Sequence, residues 1–227
     1  MSIVSLLLLI LIFLFFILYL YIKRRLLNKL NNYVKENNEK EIQSLLDQKY
    51  TRFFLSEYIR DLYISKSFLI DHDIKSLKNK LKEMFKKDYQ KTENNDYLSL
   101  YFHYFINRKD ESFINELLER IEKEQDVHLF RYCNWTKSVL IEHHDDLISE
   151  MEAAIEHKDY SGFPLGVITY LIGTQYEALQ KYSDALLWYE TATTVLQKND
   201  FYYKNAIILA KKLNEQVKRD DNKLFID

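Results

Sequence analysis

Residues 166–192 read Gly166-Val-Ile-Thr-Tyr-Leu-Ile-Gly-Thr-Gln-Tyr-Glu-Ala-Leu-Gln-Lys-Tyr-Ser-Asp-Ala-Leu-Leu-Trp-Tyr-Glu-Thr-Ala192. Small residues (Gly173, Ala185, Ala192) are interleaved with aromatic ones (Tyr176, Tyr182, Tyr189). Two helices that pack closely need small side chains where they cross, and rings fill the space above and below the crossing. The stretch reads as a helical pair.

Downstream, Phe201 to Lys218 carries Ala206, Ile207, Leu209, Ala210 and Leu213 on one face, the pattern of a helix that covers a neighbour. Upstream, apolar stripes recur at helical spacing: Ile42, Leu45 and Leu46; Phe54, Tyr58, Leu62 and Ile64; Leu77, Leu81 and Met84; Ile114, Leu117, Leu118 and Ile121; Leu147, Met151 and Ile155. The first apolar residues of the second helices, Ile42, Leu77, Ile114, Leu147 and Ala185, follow one another at roughly 35 residues, the period of a helix–turn–helix array.

The quoted stretch resembles a tetratricopeptide repeat. Gly173 and Tyr176 match the small and aromatic positions of that family's first helix, Tyr182 the aromatic of its turn, and Ala185, Tyr189 and Ala192 its second helix. Gln180 departs from the usual turn glycine, and Gln197 from the closing proline. The resemblance implies an α-solenoid of antiparallel helix pairs that binds a protein or peptide on a concave face. The expected organisation is all-α: a transmembrane anchor over 1–22, a basic juxtamembrane segment over 23–38, degenerate pairs over 39–165, one repeat over 166–199 and a capping helix over 200–220.

The anchor reading has its own grounds. Residues 1–22 carry no charge, and Ile3 to Ile22 is nearly all Leu, Ile, Phe and Val. About twenty residues rising 1.5 Å each cross the roughly 30 Å of a bilayer core. A cleaved signal peptide would have a basic start, a shorter apolar run and small residues at its end, where this chain has Tyr19-Leu-Tyr-Ile22. Lys23, Arg24 and Arg25 follow, then Lys29 and Lys35, with no acid before Glu36. That basic flank predicts a short outer N-terminus and a cytoplasmic helical domain. Setting topology is the preferred role of Lys23–Lys35, and contact with anionic lipid headgroups is the alternative.

Composition narrows the rest. Three glycines and one proline in 227 residues disfavour a strand-rich fold with many hairpins. A net charge of −2 gives no ground for nucleic-acid binding. Cys133 is the single cysteine, so no intrachain disulfide and no cysteine-based zinc site can form. Its neighbour His128 lies off its helix face, and a buried thiol is the expectation. His143-His144-Asp145-Asp146 and Asp71-His72-Asp73 fall at helix junctions, as do Asp110 and Ser183. One role, capping free helix N–H groups, accounts for all of them without a metal. No phosphate loop, nucleophile elbow or His–Glu zinc motif is present. No catalytic, cofactor or metal residue is therefore expected.

The expected partner surface is the exposed side of the first helices. Tyr170, Thr174 and Glu177 lie on that side of the last repeat, and a shift of one repeat aligns Tyr132 with Tyr170 and Thr136 with Thr174. The functional expectation is a non-enzymatic, membrane-tethered adaptor. The alternative is a factor for membrane or envelope assembly and quality control.

Overall fold

The computed structural model describes residues 3–224. Every regular element among them is an α-helix: α1 (Ile3–Lys35), α2 (Glu39–Asp47), α3 (Lys49–Phe54), α4 (Glu57–Ile70), α5 (Ile74–Met84), α6 (Lys91–Arg108), α7 (Glu111–Lys123), α8 (Val127–Leu140), α9 (Ile148–Glu156), α10 (Gly162–Ala178), α11 (Tyr182–Val195) and α12 (Phe201–Leu224). The chain divides into two compact units, Met1–Glu93 and Asn94–Asp227.

In the first unit, α1 is long and apolar enough to cross a membrane, and its apolar part is unburied by the rest of the protein. The basic segment after it is not a linker. It continues the same helix to Lys35, and Leu26 and Leu30 enter a core with Ile42, Leu45, Leu46, Leu55 and Tyr63. The apolar helix is thus rigidly joined to the unit's core. Tyr63 Oη donates to Asn31 Oδ1, tying α4 to α1. The sequence stripe Phe54 to Ile64 is broken. Ser56 caps α4 by accepting from the Ile59 N–H, so Phe54 belongs to the separate helix α3. On α4 it is Tyr58, Asp61, Tyr63, Ser65 and Ser67 that are buried, not Leu62 and Ile64. The two serine hydroxyls donate to the carbonyls of Leu62 and Ile64, which makes their burial tolerable.

The second unit has an aromatic core. Tyr97, Tyr101, Phe102, Phe105, Phe113, Tyr132, Tyr189 and Tyr202 are all essentially inaccessible. Helices α10 and α11 run antiparallel, with Gly166 against Leu196 and Gly173 against Tyr189. Helix α12 packs on both, burying Tyr202, Ala206 and Leu213.

Glycine-poor turns are made by other residues. Asn37, His72, Lys109, His143 and Gln180 adopt left-handed backbone, roughly 36 residues apart, and Gln125 and Lys158 do so between them. The first five sit between a longer helix and the shorter one after it; Gln125 and Lys158 sit between a shorter helix and the longer one after it. Asp73, Asp110 and Asp126 then cap α5, α7 and α8 by accepting from the N–H three residues on. Two expected caps are absent. Ser183 lies inside α11, whose N-cap is Lys181, and Asp145 and Asp146 precede an N-cap at Leu147. The Leu147 N–H donates instead to Gln175 Oε1 from α10, 2.9 Å away.

Candidate functional site

The five expected partner-binding residues do not form an open surface. Tyr132, Thr136 and Tyr170 are buried. The Thr136 hydroxyl donates to the Tyr132 carbonyl, and the Thr174 hydroxyl to that of Tyr170. Tyr189 Oη donates to Glu177 Oε2 at 2.9 Å and approaches Thr174 Oγ1 at 3.4 Å. Lys212 reaches Glu177 from α12 at 3.2 Å. Thr174 and Glu177 therefore fasten α10 to α11 and α12. The reason is mutual packing: α10 is covered on several sides at once, so the face expected to be open is closed by α12. Of the repeat residues, Gly173, Ala185, Tyr189 and Ala192 are buried, while Tyr176 and Tyr182 are half-buried. Tyr176 Oη donates to Glu152. Lys23 is half-buried, and Arg24 and Arg25 are exposed.

An open concavity of the second unit lies elsewhere, along α6. Asp96, Ser99, Leu100 and His103 occupy one face of that helix, at spacings of three and four residues. They line a cleft of about 450 Å³ with Phe163 and Asp200 opposite. A second cleft of about 340 Å³ shares Asp96 and Ser99 and is walled by Asp126, Tyr132 and Tyr160. Leu100 is 46% exposed, so the floor offers accessible apolar surface beside carboxylates. Asp126 and Asp200 are partly engaged: Asn95 Nδ2 donates to Asp126 Oδ2 at 2.7 Å, and the Gln197 N–H to Asp200 Oδ2 at 2.9 Å. Arg131 braces the far wall, 2.6 Å from Asp159, donating to Tyr160 Oη and lying over the Trp135 and Tyr160 rings.

His103 links three helices at the cleft base. Its Nδ1 lies 2.7 Å from Tyr202 Oη on α12, and its Nε2 is hydrogen-bonded to Tyr132 Oη on α8. A neutral imidazole suits this: one ring nitrogen donates to one phenol oxygen, and the other accepts from the second phenol. Burial pushes the His103 pKa down to about 3 and the phenols of Tyr132 and Tyr202 well up. All three are neutral at pH 7, and both ring nitrogens are occupied, so His103 has no free lone pair to act as a base. Burial, reinforced by Asp126, also pushes the Cys133 thiol well up, which leaves it a packing residue. Among the described residues, no three His, Cys, Asp or Glu side chains are grouped as a metal ion would need. His144 pairs with Asp146 at the surface, 3.3 Å apart.

The pH consequence has a definite sign. Unfolded His103 takes its proton near pH 6.5, and the folded residue resists until about 3. The unfolded state binds more protons in that window, so stability is intact above pH 7 and falls on acidification. The loss between pH 7 and 5 is at most about 2 kcal/mol, trimmed by the partial exposure of the ring. His103→Gln is expected to unfold more easily at pH 7 but to show a flatter dependence between pH 7 and 5. Denaturant titrations of the detergent-solubilised chain at both pH values check this, and parallel slopes would remove His103 from the account.

The sequence signal for this site was the polar stripe Asp96, Ser99, His103 on a helix otherwise full of aromatics. Comparison with known protein families, curated proteins and solved structures finds no match to this chain.

Proposed function

We propose that this chain is a membrane-tethered adaptor built of tetratricopeptide-like helical pairs, and that the cleft along α6 receives a basic side chain from a partner protein. The observation that carries the reading is the cleft's chemistry. Asp96 and Asp200 face a floor of Leu100 and Phe163, which suits a lysine or arginine whose aliphatic stem lies on apolar surface while its head meets carboxylate. Supporting the repeat reading are the five left-handed turns roughly 36 residues apart that separate a longer helix from a shorter one, and the Gly173–Tyr189 crossing. The neutral, fully bonded His103 and buried Cys133 support a binding role over catalysis. The charge-free start of α1, followed by Lys23, Arg24 and Arg25, supports a single span with the helical units in the cytoplasm. Tethering raises local concentration, so such a cleft can act with modest affinity.

The test uses the full chain in lipid nanodiscs and fluorescent peptides pairing a lysine or arginine with an aromatic or leucine neighbour. Basic peptides should bind, and matched peptides with glutamate in place of the cation should not. Asp96 is exposed, and none of the ion pairs among the described residues engages it. Asp96→Asn should therefore weaken binding about fivefold, ~1 kcal/mol, without altering the fold. Equal binding of basic and acidic peptides would reject the proposal.

A further inference from the structure

Helix α3 has only six residues, yet it is firmly seated. Thr51 is fully buried with its hydroxyl donating to the Leu45 carbonyl at 2.7 Å, and Leu55 closes the helix inside the core. Its other side faces out: Phe53 is 68% exposed and Tyr50 47%. Two large rings held rigidly outward are unusual in a helix anchored this well.

Their position beside α1 gives them a role. The Phe53 and Phe54 rings stand 6.4 and 5.4 Å from Tyr19, and 5.1 Å from each other. Tyr19 lies three residues, roughly 4.5 Å, inside the basic end of the apolar run. Phe53 also closes an apolar recess of about 540 Å³, whose remaining wall is Leu11, Ile12, Phe15, Phe16 and Tyr19 of α1. If α1 crosses a bilayer, a ring beside Tyr19 stands at the level of the acyl-chain boundary. The surroundings match a headgroup layer: Lys23, Arg24, Arg25 and Lys29 follow on α1, and Lys49 opens α3, with no acid on α1. Around α3 the Thr51 N–H donates to the Gln48 carbonyl and the Leu55 N–H to the Thr51 carbonyl, so the turns that carry Tyr50 and Phe53 are hydrogen-bonded at both ends.

We propose that α3 is a second membrane contact: Phe53 and Tyr50 insert into the cytoplasmic leaflet, and the recess between Phe53 and α1 holds a lipid acyl chain. The continuity of the recess with the apolar run selects lipid as its occupant. The basic residues beside it favour anionic headgroups. The contact would fix the tilt of the first unit on the bilayer, a restraint that a flexible tether lacks. This inference rests on the reading of α1 as a membrane span.

The test places a nitroxide at Phe53→Cys, Tyr50→Cys, Leu18→Cys and Leu187→Cys in the full chain. The chain is reconstituted in liposomes of phosphatidylcholine with a minority of phosphatidylglycerol. Native Cys133 is fully buried and stays unlabelled in the folded protein. Collisional accessibility to oxygen, which concentrates in the acyl region, is compared with that to a water-soluble nickel chelate. Expected are an apolar signature at Leu18 and Phe53, a shallower one at Tyr50 and an aqueous one at Leu187. An apolar Leu18 with an aqueous Phe53 overturns the contact and leaves the span intact. An aqueous Leu18 overturns the span and the contact with it. A Phe53 label shielded from both agents and broadened by a second label means that another copy of the chain covers the ring, which also overturns the lipid assignment.

Discussion

Asp61→Asn is expected to destabilise the first unit by about 3–5 kcal/mol, the cost of removing one partner from a buried charge network. Asp61 is 5% exposed on α4. Its Oδ1 meets Lys80 Nζ at 2.7 Å, and its Oδ2 accepts from Lys87 and Tyr89. Lys87 also reaches Glu57 at 2.7 Å. Burial works to raise the Asp61 pKa, but the hydrogen bonds from Lys80, Lys87 and Tyr89 outweigh it, and the net shift is downward. Asparagine keeps the shape and removes the charge. Lys80, whose side chain is only 12% accessible, would then keep only the exposed Glu83 at 3.3 Å. A carboxylate whose folded pKa is lowered contributes fully above its unfolded value near 3.9, so the penalty is complete at pH 7 and shrinks only in stronger acid. Amide hydrogen exchange in α4 and α5 is the suitable readout, because it reports on one unit without assuming that both unfold together. Unchanged protection would refute the role given to Asp61. Replacing both ends, as in Asp61→Leu with Lys80→Met, should recover part of the loss, because no charge is then left unpaired on that side.

The contrast between this network and the apolar stripes explains what the sequence made legible. Leu77, Leu81 and Met84, or Ile114, Leu117 and Ile121, announce a buried face through local spacing alone, and each of these side chains is buried. The roughly 35-residue rhythm of Ile42, Leu77, Ile114, Leu147 and Ala185 was legible for the same reason. Each follows by four or five residues a left-handed turn residue, so one local backbone event sets both. Asp61 was not legible, because its worth depends on Lys80 and Lys87, which lie on or beyond the next helix. The cleft was harder still. Tyr132 and Tyr202 meet His103 across sequence separations of 29 and 99 residues. Nothing in a helical period indicates which face of α10 its neighbours will cover. The Tyr–Thr pairs looked exposed because the pattern of a capping helix does not tell which face of α10 it covers.

Gly173→Val is expected to destabilise the second unit by about 3 kcal/mol, despite valine's better helix propensity. A Cβ at Gly173 would stand 2.9 Å from Tyr189 Cδ1 and 3.0 Å from Cε1. The ring cannot yield easily, since it is fully buried and its hydroxyl is held by Glu177 and Thr174. Gly166 offers a control that separates distance from compliance. Its Cβ would come closer, 2.6 Å from Leu196, but that partner is a flexible side chain at the end of α11. Gly166→Ala should therefore cost less than the shorter distance suggests. Gly173→Val combined with Tyr189→Leu should be less destabilising than the two separate losses summed, the signature of a shared steric conflict. Additive losses in that cycle would mean that the conflict is not with the Tyr189 ring. The same variant also bears on the cleft. Helix α12 packs on α10 and α11 and carries Tyr202 to His103, so forcing α10 from α11 should weaken peptide binding together with stability. Asp96→Asn should weaken binding alone. If Gly173→Val lost stability yet bound basic peptide normally while Asp96→Asn did not weaken it, the bound segment would have to sit on another surface.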